Sequence, residues 1–173
     1  MPIKQRSAQP APGVPPGAPA AVQFEAEFIT GLKKIWEELI AFNQVLGVKI
    51  TAVEPERVSA RIAMRHELIG HYTHKRIHGG VISACLDGMG GLAVMAAIGA
   101  RHMDEPPSVR LMRFNKLSTI DLRVDYLRPG IGEYFDLHAQ VMRLGSRVAS
   151  TRMEFCGADG KLLSTGTAAY MLA

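Results

Sequence analysis

The sequence predicts an α+β domain in which an antiparallel sheet wraps one long apolar helix. Three observations predict it. Residues 81–100 are apolar except for Ser83, Asp87 and several glycines. Before them, two short runs alternate apolar and polar residues around Glu54-Pro55-Glu56. After them come four strand-like runs, separated by short turn sequences.

The elements follow in chain order. Six of the ten prolines fall in residues 1–20, among alanine and glycine. Such a stretch lacks the apolar side chains to offset its ordering entropy, so residues 1–22 are expected to form a disordered, partly polyproline tail before one domain at 23–173. Phe24, Phe28, Leu32, Ile35, Trp36, Leu39 and Phe42 then recur at three and four, with charged residues opposite, which predicts one helix over 24–42. Gly31 weakens it by about 1 kcal/mol relative to Ala, and residues 43–47 supply an end. Val48, Ile50, Ala52 and then Val58, Ala60, Ile62, Met64 read as a hairpin.

Residues 81–100 are long enough to cross a bilayer. Asp87 near the middle would cost about 3 kcal/mol there, and the glycines dilute the hydrophobicity. The soluble alternative, one helix enclosed by a curved sheet, agrees with the sheet-like flanks. The runs 119–127, 134–144, 147–156 and 162–171 are separated by Arg128-Pro129-Gly130, Gly145-Ser146 and residues 157–160, and tight connections of this kind favour an antiparallel meander.

Composition narrows the function classes. Hydrophobic residues make up 47% and charged residues 21%, which excludes a wholly disordered chain. The net charge of +4 is spread evenly, with ten basic and eight acidic residues both in 1–100 and in 101–173. No polybasic block stands out, so no nucleic-acid partner is expected. Cys85 and Cys156 form no CxxC, so neither a disulfide framework nor a cysteine zinc site is expected. The N-terminus has no secretory pattern, and a cytoplasmic protein without a membrane span is the reading.

The sharpest local feature is Ile77-His78-Gly79-Gly80 running into the central helix, with Asp87 nine residues after His78. Adjacent glycines let a ligand approach the backbone, and a helix N-terminus presents unpaired N–H groups at the positive end of its dipole. That suits a developing oxyanion. A carboxylate on an otherwise apolar helix is costly unless paired, hydrated or functional.

His78-Gly79-Gly80 with Asp87, preceded by Leu68-Ile69-Gly70 and followed by Leu117-Ser118-Thr119-Ile120-Asp121 and Asp125-Tyr126-Leu127-Arg128-Pro129-Gly130, resembles the hotdog-fold acyl-CoA thioesterases. The likeness is to the phenylacetic-acid-degradation type, including its branch active on medium- and long-chain acyl-CoA, and it covers roughly residues 42–172. The resemblance implies hydrolysis of acyl-CoA to a carboxylic acid and CoA by a homodimer or dimer of dimers, with no cofactor and no metal. It assigns the oxyanion to a backbone N–H of Gly79 or Gly80 and the general base or nucleophile to Asp87. Thr119 would help place the water, and His78 would shape the loop near the thioester. Where the related branch has Gly-Asn before HGG, this chain has Gly70 and His71, and a histidine can donate, accept or become cationic near pH 6–7. Arg128, Arg143 and Arg147 sit near where the family receives coenzyme A phosphates, which arginine binds well.

Three alternatives stay open. His71, His74 and His78 with Glu67 would suit a metal if the segment were helical, but the glycines around them argue for an irregular loop. His71 or His78 paired with Asp87 would suit a hotdog hydratase or dehydratase. An acyl-CoA-binding regulator would use the fold without turnover. Residues 101–116, basic around Pro106-Pro107, read as a mobile flap or a surface loop.

Overall fold

The computed structural model describes residues 23–172, so the expected tail at 1–22 lies outside the described residues. The first helical segment is broken where the periodicity predicted one helix. Helix α1 (Ala26–Lys34) runs into a π-helical turn at Ile35–Leu39, Ile40 is extended, and α2 (Ala41–Leu46) follows. The break has a side-chain cause. Ile40 N–H bonds back to Ile35 C=O at 3.1 Å, and the Trp36 carbonyl left over accepts from Asn43 Nδ2 at 2.9 Å. Gly47, at φ 71°, ends α2 in the left-handed region with its N–H on Asn43 C=O. Gly31 lets α1 pack closely, because a Cβ there would lie 2.3 Å from Leu111 Cδ1.

Strands β1 (Lys49–Val53) and β2 (Val58–Ala63) form the expected hairpin. The stretch read as irregular loop contains a second, smaller hairpin, β3 (Ile69–His71) with β4 (Arg76–Ile77). Helix α3 (Gly79–Arg101) comes next, then the short α4 (Pro107–Met112) inside the segment read as flap or loop. Strands β5 (Ser118–Tyr126), β6 (Tyr134–Leu144), β7 (Val148–Gly157) and β8 (Leu162–Met171) complete the chain.

The six-stranded sheet runs β1-β2-β6-β7-β8-β5, antiparallel throughout. The meander therefore holds only for β6, β7 and β8. Strand β5 crosses to the far edge and pairs with β8, so Arg128-Pro129-Gly130 is not a hairpin turn. The N–H groups of Leu127 and Arg128 both reach Leu163 C=O at 2.9 Å, and Gly130 C=O accepts from Ile77 at 3.0 Å. Those bonds tie the connection to β8 and β4 and carry the chain across to β6.

Alternate residues of β2, β6 and β7 face α3. Val58, Ala60 and Ile62 of β2, Phe135 and Leu137 of β6, and Met153 and Phe155 of β7 are all nearly inaccessible. Each large side chain removed from water contributes about 1.5–3 kcal/mol. Helix α3 is long and apolar enough to cross a membrane by length and composition, yet 12 of its 23 residues are buried against this sheet and the N-terminal helices. The order and wrapping are those of the hotdog fold.

Candidate active site

The N-terminus of α3 is built around His78, its cap residue. The ring Nδ1 accepts from Gly80 N–H at 2.8 Å, while the His78 carbonyl accepts from Val81 and Ile82. Gly80 is thus committed: a Cβ there would lie 2.9 Å from Nδ1. Gly79 N–H has no acceptor among the described residues, so of the two glycines it is the one left to meet a ligand at the positive end of the helix dipole. Tyr126 of β5 donates its hydroxyl to Gly79 C=O at 2.9 Å. Gly70 permits β3 to pass against the cap, since a Cβ would lie 2.6 Å from His78 Cα.

His71 sits on the exposed β3–β4 hairpin, where its Nδ1 pairs with Thr73 Oγ1 at 3.0 Å and its ring stacks on His74 at 4.9 Å. Its neighbour Gly70 touches His78, so His71 belongs to the His78 end of the molecule. Among the described residues, no group of three or more His, Cys, Asp or Glu side chains is arranged to hold a metal.

Asp87 lies in the third turn of α3. Thr119 Oγ1 donates to its Oδ1 at 2.9 Å. Tyr170, 2% exposed, donates to the Asp87 carbonyl at 2.7 Å and lies 3.4 Å from the same Oδ1. Burial, and then the charge of Asp87, push the Tyr170 phenol well above its ordinary pKa, so it remains a donor. Oδ2 of Asp87 has no protein donor among the described residues. It is therefore the oxygen free to take a proton from water. Asp87 opens onto a cavity of about 430 Å³ whose walls include Trp36, Phe42, Phe114 and Leu117. Tyr170 was not singled out by sequence reasoning. The alternation Ser164, Gly166, Ala168, Tyr170 marks it as inward-facing, but the crossover of β5 is what makes it a neighbour of Thr119.

The two halves stand apart within one chain. Gly79 and Asp87 are eight residues apart on α3, about 12 Å along its axis. The arginines divide likewise. Arg128 follows the Tyr126 end of β5 and donates to Leu162 C=O at 2.8 Å. Arg143 and Arg147 flank the β6–β7 turn, beside the row Val148–Met171–Ser118 at the other end of β5. The nine residues of β5 span about 26 Å between these ends. Cys85 offers no alternative nucleophile, because burial pushes its thiol up to about 12.

The fold and this constellation place the chain in a known class, and residues 74–164 match the model of the thioesterase superfamily. The chain belongs to that superfamily. It is 34% identical over 131 residues to the medium/long-chain acyl-CoA thioesterase YigI of Escherichia coli K12, covering 76% of this chain and 84% of that protein. A crystal structure from Shewanella oneidensis, described as related to the thioesterase superfamily, superposes with a TM-score of 0.79 at 36% identity over 86% of this chain and 97% of the other. Thioesterase superfamily member 2 of Mus musculus, at 20% identity and a TM-score of 0.65 over 83% of this chain and 96% of its own, shares the fold.

Proposed function

We propose that the protein hydrolyses medium- to long-chain acyl-CoA in the cytoplasm, with Asp87 as general base. The observation that carries this reading is the Asp87 carboxylate, held through Oδ1 by Thr119 and left open at Oδ2 beside an apolar cavity. Water gives a proton to Oδ2 as its oxygen bonds to the thioester carbonyl carbon. Gly79 N–H receives the oxyanion. The C–S bond then breaks, and the proton on Asp87 leaves with the CoA thiolate, a good leaving group that needs little acid assistance.

One carbonyl cannot touch Gly79 and Asp87 of the same chain across about 12 Å. A homodimer resolves this. Strand β5 ends the sheet, and among the described residues nothing pairs with its outer side. Antiparallel pairing of two β5 strands about their midpoint, Leu122, sets Ser118 of one subunit opposite Tyr126 of the other. Tyr126 is bonded to Gly79 and Thr119 to Asp87, so each site would join the two halves from different subunits. The same pairing draws Arg128 of one subunit toward the Arg143 and Arg147 end of the other, where CoA phosphates would bind.

The experiment is free-thiol release from short-, long- and aryl-chain acyl-CoAs. Hydrolysis with a preference for medium and long chains is expected. Binding of acyl-CoA without release of thiol would overturn the catalytic reading in favour of a regulator.

A further inference from the structure

Glycine in a helix interior destabilises it relative to alanine, so each one in α3 calls for a reason. Gly90 and Gly99 have one inside the domain. A Cβ at Gly90 would lie 2.2 Å from Tyr170 Oη, and one at Gly99 would lie 2.3 Å from Phe28 Cζ. Gly88 and Gly91 have no such reason. At Gly91 the nearest atoms to a Cβ would be Leu117 Cδ2 and Tyr170 Cε1, both at 3.9 Å. At Gly88 they would be Trp36 Cζ2 at 3.4 Å and Asn43 Oδ1 at 3.7 Å. Those are ordinary contacts, and alanine would fit at both positions.

What Gly88 and Gly91 share is the cavity. Ala84, Gly88, Gly91 and Met95 follow one another at four, three and four along a single face of α3 beside Asp87, and all five line it. A second observation fits a hydrocarbon occupant. The walls facing this stripe are large and apolar, with Trp36, Phe42, Phe114 and Leu117 on the same space as Asp87.

We infer that Gly88 and Gly91 are chain-length determinants: they keep open a seat for the acyl chain, which runs from the thioester at Asp87 along α3 toward Met95. The run from Asp87 to Met95 is eight residues, about 12 Å. A short acyl group ends near Gly88 and does not reach Gly91, whereas a long one passes both. This inference rests on the acyl-CoA reading above and adds to it the residues that set which chain is accepted.

The test uses Gly91→Ala and Gly91→Leu in the full chain, with two pairs of probes. Thiol release is compared for hexadecanoyl-CoA and butanoyl-CoA, and binding is compared for the non-hydrolysable thioethers S-hexadecyl-CoA and S-butyl-CoA. In Gly91→Leu the long-over-short ratio is expected to fall about tenfold or more in both kcat/KM and affinity, as expected when methylenes are added to an apolar pocket. In Gly91→Ala the ratio falls less, while the melting temperature rises by about 2–4 °C because a helical glycine has been removed. The opposed signs distinguish a seat from a packing site. An unchanged ratio in Gly91→Leu, or a lower melting temperature in Gly91→Ala, would overturn the inference. Absence of thiol release by the unmodified protein would defeat the hydrolytic reading alone, since the thioether pair still decides whether the seat exists.

Discussion

The hydroxyl of Thr119, on the outermost strand, reaches Oδ1 of Asp87, on the central helix, at 2.9 Å. This bond fixes which carboxylate oxygen is occupied and turns the other toward the cavity. A carboxylate held in this way need not search for its orientation when water arrives.

Asp87→Ala is expected to lower kcat by about 10²–10⁴ with a modest change in substrate affinity. Asp87→Asn should be nearly as poor, because an amide cannot take the proton. Thiol-release kinetics on variants with unaltered circular dichroism check this. Near-normal turnover in either variant would remove Asp87 from the mechanism.

Thr119→Val should lower kcat by roughly tenfold to a hundredfold, the worth of a hydrogen bond to a charged group. Thr119→Ser should recover most of the loss, since only the hydroxyl is needed. Equal activity in the valine and serine variants would show that the bond does not position the base.

Gly90→Ala should destabilise the protein by about 1–3 kcal/mol despite the better helix propensity of alanine. The new Cβ would drive into Tyr170 Oη, which cannot retreat without giving up the Asp87 carbonyl. Chemical denaturation measures this directly. A more stable variant would mean that Tyr170 has room the structure does not show.

Stability should fall in acid partly through Glu25. A hydrogen bond from Arg110, which is wholly buried over Phe28, holds the Glu25 carboxyl below the usual carboxylate range. A carboxyl depressed in the folded state stabilises fully above its unfolded pKa, and that contribution disappears as pH falls through the folded one. Melting temperatures of the unmodified protein and Glu25→Gln should therefore differ at neutral pH and converge in acid. A constant difference would dissociate the pair from the acid response.

Mixing Asp87→Ala with Gly79→Val under conditions that exchange subunits should restore activity. If sites are shared, each heterodimer holds one doubly damaged site and one intact site. If each site lies within one chain, every site keeps a defect. Persistent inactivity in heterodimers verified by two affinity tags would refute the cross-subunit arrangement.

Much of this was legible in the sequence because it depends on local periodicity. The central helix and the strand bounds of β6, β7 and β8 all come from patterns within a few tens of residues. Three things were not legible. The crossing of β5 to β8 depends on backbone bonds from Leu127 and Arg128 to Leu163, which leave no mark on side-chain alternation. The break at Ile40 depends on Asn43 taking the Trp36 carbonyl, an event outside any helical period. The commitment of Gly80 to the His78 ring required knowing which imidazole nitrogen faces the helix.

The break at Ile40 has an engineering consequence. Trp36, Phe42 and Asn43 wall the cavity, yet they come from a segment that contributes no strand to the sheet and neither donor to Asp87. One side of the wall and the donors to Asp87 are thus encoded in separate stretches of chain. Ile40 and Phe42, which are exposed and line the cavity, can be varied with α3, β5 and β8 left untouched, to move substrate preference without disturbing the bonds that hold Asp87.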